Sequence, residues 1–186
     1  MGGWISGLTI AMGLMATPEA AVSQPLAGES IGVVSVSRVR SSSRSLLALI
    51  ARTTEQSQTF RRLVETIDAS DGLVYVEPGV CKHGVRACLV NVKSAGGQRV
   101  LFVKVYIRRT DRALMAAIGH ELQHAVEVLN DPTVTDQPTM YFFYKRNRDR
   151  VGTSTAFETQ AAIKAGEDVG EEVRQFLRAE EGSGRR

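Results

Sequence analysis

The amino-acid sequence predicts an α+β domain, and three observations predict it. Apolar residues recur at helical spacing between residues 45 and 67. Three short β-prone runs, separated by Gly and Pro turns, follow between 73 and 107. Helical patterning then resumes from 112 and continues to about 179. With 186 residues the chain suits one domain able to bury a core without metals or disulfides merely to fold. Its 43% apolar and 23% charged residues sit near globular averages, which argues against disorder or a fibrous class.

Residues 1–23 read as a signal peptide. Ile5 to Ala16 is apolar and uncharged, and Pro18 and the small residues Ala21-Val22-Ser23 follow at cleavage-site spacing, although no Lys or Arg precedes the run. Glu19 interrupts the stretch before the roughly twenty apolar residues that a membrane span needs, so no stable span is expected in the mature chain. Residues 24–44, rich in Ser and Gly, read as a flexible leader. The folded domain is expected over 45–181, with a disordered tail at 182–186.

Within the domain, Leu46, Leu49, Ile50 and Thr53 share one helical face, as do Phe60, Leu63, Val64 and Ile67, giving one broken helix or two. Asp71-Gly72 ends this region. Leu73–Val76, Ala87–Val92 and Val100–Ile107 are the three strands, turned by Pro78-Gly79 and Ala95-Gly96-Gly97 and expected as a small antiparallel meander. Thr110 or Asp111 caps a helix from Arg112 to Leu129, which Asn130-Asp131-Pro132 stops. A further helix is expected from about Thr153–Thr155 to Lys164 or beyond, and a short closing one from roughly Glu171 to Ala179.

Cys81 and Cys88 flank the turn between the first two strands, where a disulfide clipping a hairpin fits and implies an oxidising compartment. A zinc site using both thiols with His83 is the rival, and two free thiols the bland alternative. A formal charge of +3 is too small to imply a polyanionic partner, so nucleic acid is not expected. The basic run Lys145 to Arg150, beside Tyr141, Phe142, Phe143 and Tyr144, reads as a solvated loop between helices.

The chemistry lies in His120-Glu121-Leu122-Gln123-His124. Helical spacing of four puts both imidazoles on one face, where they can bind one zinc ion, while Glu121 can reach a water at the metal and take its proton. The pattern arises by chance in roughly one chain in a few hundred, so its surroundings matter. From Ala113 to Val126 these three are the only ionisable residues on an otherwise apolar helix. Groups of that kind are costly to bury without partners, and a metal supplies them.

The stretch Ile118 to Ala125 resembles the active-site helix of zincin metallopeptidases. A metzincin would have Gly at 127 and His at 130; Glu127 and Asn130 stand there instead, so the resemblance is to gluzincins, whose third ligand is a Glu on a following helix. Glu158, in Thr155 to Ala162, is the best match, with Glu127, Asp131, Asp136 and Asp149 as fallback ligands. Gluzincins of the thermolysin type carry a further acid four residues later, where this chain has Ala162.

The resemblance implies a zincin-like arrangement of N-terminal helix, sheet, metal helix, Glu-bearing helix and closing helix. It also implies an exported zinc metallopeptidase acting on a peptide or protein, with Glu121 as general base and His120, His124 and Glu158 on the metal. An edge strand would pair with the substrate, Val100–Ile107 being nearest in order. Tyr141, Tyr144 and His83 are the donors available to stabilise an oxyanion. An exported non-enzymatic zinc protein, or an amidase acting on a cell-wall amide, would keep much of the same site.

Overall fold

The computed structural model describes residues 37–81, 85–108, 111–147 and 158–183. The expected signal peptide, most of the leader, His83, Thr110, Asp149 and the helix start at Thr153–Thr155 lie outside them. In chain order the elements are β1 (Val39–Arg40), α1 (Arg44–Gln56), α2 (Gln58–Asp68), β2 (Gly72–Pro78), β3 (Ala87–Ala95), β4 (Gln98–Val105), α3 (Arg112–Asn130), α4 (Gln137–Asn147) and α5 (Gln160–Ser183). Among the described residues the class is α+β, with five helices and a small mixed four-stranded sheet.

The N-terminal helical region is two helices, and Ser57 divides them. Its N–H donates to the Thr53 carbonyl at 2.9 Å, closing α1, while its hydroxyl accepts from Phe60 N–H at 3.0 Å, opening α2. The expected apolar faces are the buried ones: Leu46, Leu49, Ile50 and Thr53 on α1, and Phe60, Leu63, Val64 and Ile67 on α2. Residues 37–44 are folded, correcting the C-terminal end of the expected leader. Val39 and Arg40 pair with Val74 and Tyr75, and Ser43 caps α1.

The sheet order is β1-β2-β4-β3. The expected antiparallel meander is corrected: β2 runs parallel to β4, and only β3 and β4 form a hairpin. That hairpin turns on Gly96 and Gly97, both in the left-handed region at φ 58° and 79°, as a tight two-residue turn requires. β4, with Leu101, Val103 and Val105 fully buried, takes a central place. β3, carrying Asn91, Lys93 and Ser94, becomes the edge, so the edge-strand role passes from Val100–Ile107 to β3.

Cys81 and Cys88 are joined by a disulfide with Cα atoms 6.0 Å apart. It closes the crossover from β2 to β3 and not a hairpin, because those strands lie on opposite sides of β4.

α3 is the core helix, capped by Asp111, whose carboxylate accepts from Leu114 N–H at 3.0 Å. Its other end is tied to the sheet by Arg99 of β4. This buried guanidinium donates to the carbonyls of Val128, Leu129 and Asp131 at 2.6–3.0 Å and forks onto Asp71 at 2.7 and 2.9 Å. A cation there satisfies orphan carbonyls and opposes the negative end of the helix dipole.

Two helical expectations are corrected. α4 was not expected, and Lys145 to Asn147, read with the residues up to Arg150 as a solvated loop, belong to it; the helix starts where Asp136 accepts from Thr139 N–H while Thr139 Oγ1 accepts from Asp136 N–H, a reciprocal cap. The two expected C-terminal helices are one, α5, continuous through Gly166 and Gly170 and on to Gly182 and Ser183 of the expected tail. Its position is pinned by Glu172, which accepts from Ser57 Oγ (2.6 Å), Thr59 N–H (2.9 Å) and Thr59 Oγ1 (2.8 Å) at the start of α2.

Candidate metal centre

The helical face of α3 carries His120 and His124 toward a cleft of about 1450 Å³, whose lining includes β3 residues Ala87 to Val90 on one side and α5 on the other. α5 approaches closely because small residues face α3. A side chain at Gly119 would begin 2.8 Å from Val169 Cγ2, and one at Gly166 would begin 3.2 Å from His120 Cβ. Close approach sets the start of α5 beside the imidazoles. Glu158 stands there, one residue before Thr159, which caps the helix through Ala162 N–H at 3.1 Å.

His120, His124 and Glu158 each offer one ligand atom, and these atoms all lie within 4.8 Å of one another, a group that could hold a metal ion. Glu158 Oε2 is 3.0 Å from His120 Nε2 and 3.9 Å from His124 Nε2. Bonds of about 2.0–2.2 Å would set the ligand atoms of a tetrahedral ion roughly 3.3–3.5 Å apart, within the same range. Glu158 Oε2 is buried and has no hydrogen bond of ordinary geometry, although the nitrogen distance is short. The three atoms therefore converge on a shared point better than they pair with each other. This orphaned carboxylate oxygen beside two imidazole nitrogens is the observation that fits a cation.

The surroundings reinforce this geometry. His124 Nδ1 donates to Glu127 Oε2 at 2.9 Å, leaving Nε2 for a ligand, and Glu127 Oε1 accepts from Thr159 Oγ1 at 2.6 Å. Carboxylates hold metal-binding histidines in this way, fixing ring orientation and basicity. One chain of contacts thus links the residue beside Glu158 to the ring of His124. Tyr144 packs edge-on to His124 at 5.3 Å between ring centres and donates its hydroxyl to the His124 carbonyl at 3.0 Å.

Glu121 is buried in the same cleft, and its Oε2 accepts from Leu89 N–H on the edge strand at 2.6 Å. Leu89 donates outward because β3 is an edge strand whose alternate N–H groups face away from β4, and the Tyr106 N–H to Arg86 carbonyl bond sets the alternation that leaves Leu89 outward, just before the bulge between Leu89 and Asn91. Burial pushes the Glu121 carboxyl up, against the opposing pull of the two imidazoles. The imidazoles, His120 foremost, hold Glu158 well below the usual carboxylate range. For His124, burial favours the neutral ring, but the hydrogen bond to Glu127 and the nearby Glu158 carboxylate outweigh it and raise the pKa to about 9.

The structure brings His120, Glu121, His124 and Glu158 together. Glu158 precedes α5 and does not lie within a helix. Of the fallback ligands, Glu127 becomes the partner of His124, while Asp131 is engaged with Thr133 and Asp136 with Thr139. Tyr144 spends its hydroxyl on a backbone carbonyl, and Tyr141 is largely exposed on α4. Sequence reasoning missed Thr159 and the Leu89 N–H. Thr159, a helix-capping type directly after the candidate ligand, was open to recognition; a backbone donor at a bulge leaves no signal in residue identity.

No family model, curated protein or solved structure matches this chain. The zincin resemblance accordingly rests on the His120–His124 segment and Glu158. Among the described residues no helix is long and apolar enough to cross a membrane, and the disulfide is compatible with an exported protein.

Proposed function

We propose that this protein is an exported zinc-dependent hydrolase, a metallopeptidase of gluzincin type. His120, His124 and Glu158 would hold the zinc ion, which would supply Lewis-acid chemistry there, lowering the pKa of water toward neutrality and polarising a carbonyl. The remaining chemistry belongs to the chain. Glu121 takes the proton from water and passes it to the leaving amine, while the Leu89 N–H keeps its carboxylate aimed into the cleft. Glu127 orients His124 and, through Thr159, ties that ring to the segment carrying Glu158.

The single observation that supports a hydrolytic over a structural metal site is Glu121. It is a buried carboxylate on the cleft wall, and among the described residues no Lys or Arg forms an ion pair with it. A purely structural site has no use for such a group. Peptide bonds are the proposed substrate through the zincin resemblance.

The test is hydrolysis of labelled casein and of a cell-wall crosslink amide by wild type and by Glu121→Gln. Casein cleavage by wild type, reduced at least 100-fold in Glu121→Gln, is expected. Cleavage of the crosslink alone would make the protein an amidase, and cleavage of neither would favour a binding protein.

A further inference from the structure

We propose that the Cys81–Cys88 disulfide is a positioning element of the site, fixing the strand start from which the Leu89 N–H holds Glu121. The inference rests on Glu121 acting as the base.

β2 and β3 flank β4. Cys81 lies three residues beyond the end of β2, its Sγ 3.5 Å from the Lys104 carbonyl oxygen of β4, and Cys88 is the β3 residue paired with Lys104. The disulfide, with Cα atoms 6.0 Å apart, therefore ties the start of β3 covalently to the segment that leaves β2 beside β4. The β2 side is firm: Cys81 is buried, and Gly79 N–H donates to the Val105 carbonyl at 2.9 Å.

The β3 side is held behind Cys88 by the Tyr106 N–H to Arg86 carbonyl bond (2.8 Å) and the Arg86–Asp111 ion pair (2.7 Å). Ahead of it comes the bulge, where regular pairing lapses. Leu89 sits between the covalent tie and that break. Its donor direction is thus set by the residue immediately before it, which is half of the disulfide. Both cysteines also line the cleft, so the tie lies in the wall of the site it orients.

The experiment compares wild type, Cys81→Ser/Cys88→Ser and Leu89→Pro, measuring zinc content, casein hydrolysis and hydrogen exchange at the Leu89 amide. Proline at 89 deletes the N–H but leaves the disulfide, and an edge strand tolerates it where the N–H faces away from the ladder. Both variants are expected to keep zinc and KM while kcat falls at least tenfold. Leu89 exchange should quicken at least tenfold in the serine variant.

A serine variant with kcat within twofold of wild type, or with unchanged Leu89 exchange, overturns the positioning role alone. Loss of zinc together with kcat also overturns it, in favour of a general role in the fold. Absence of casein hydrolysis by wild type overturns the peptidase reading, while the positioning role is then decided separately by Leu89 exchange, which overturns it if unchanged in the serine variant.

Discussion

His124 donates through Nδ1 to Glu127, one helical turn away on α3, at 2.9 Å, and this bond decides which nitrogen of the ring faces Glu158. Removing it should loosen the metal without touching a ligand. Glu127→Ala is expected to weaken zinc binding about 10–100-fold, and Glu127→Gln, which keeps an acceptor but not the charge, by less. Competition with a chromophoric chelator measures this, and an unchanged affinity in Glu127→Ala would count against the assigned role.

The same bond predicts a pH dependence. In the metal-free protein, burial lowers the His124 pKa but the Glu127 and Glu158 carboxylates outweigh it and raise the ring from its ordinary 6.5 to about 9. A raised pKa means that stability from the protonated ring is fully present below about pH 6.5 and is lost as pH rises through about 9. The thermal midpoint of metal-free protein should therefore fall across that window, and saturating zinc should abolish the fall, because the bound ring stays neutral, keeping only its Nδ1 proton, throughout it. Calorimetry in buffers of different ionisation enthalpy should also detect proton release on zinc binding below about pH 9. A flat midpoint and no proton release would contradict this account.

Arg99 is the buried cation that fastens the end of α3 to β4. Arg99→Met leaves three carbonyls and Asp71 without their donor, and should cost about 3–5 kcal/mol. For a domain of this size that is a fall of roughly 10 °C in thermal midpoint. Arg99→Lys, which keeps the charge but not the fork, should fall between. A thermal melt within 2 °C of wild type, on the order of 1 kcal/mol or less, would show that the network contributes little.

At Gly119 a methyl group would start 2.8 Å from Val169 Cγ2, so Gly119→Ala should push α5 from α3 at a cost of about 1–3 kcal/mol. Because α5 begins beside Glu158, zinc affinity should fall as well. Adding Val169→Ala should recover part of both losses by removing the methyl groups in the way. Equal losses in the single and double variants would place the clash elsewhere.

Much of the local structure was legible in the sequence because it is encoded locally. The faces of α1 and α2, the Asp111 cap and the two imidazoles follow from spacing along one element. Glu158 was reachable as a lone acid among small and apolar neighbours. Strand pairing was not, since nothing near Leu73 says that it will pair directly and parallel with Val100, leaving out β3, which comes between them in sequence; that choice belongs to the burial of β4 as a whole. The sequence suggested one helix to Lys164 or beyond and another from Glu171, whereas Gly166 and Gly170 lie inside α5, where their small size lets it pack closely on α3. α4 had its signal in Asp136 and Thr139, obscured by the basic and aromatic run that follows.

The central claim is that His120, His124 and Glu158 hold one zinc ion in front of Glu121. Zinc per chain, measured by elemental mass spectrometry on wild type, Glu158→Ala and Glu121→Gln after dialysis against a weak chelator, tests it most directly. One zinc per chain in wild type and in Glu121→Gln, with little or none in Glu158→Ala, is the predicted result. Wild type without zinc, or Glu158→Ala with its full share, would contradict it.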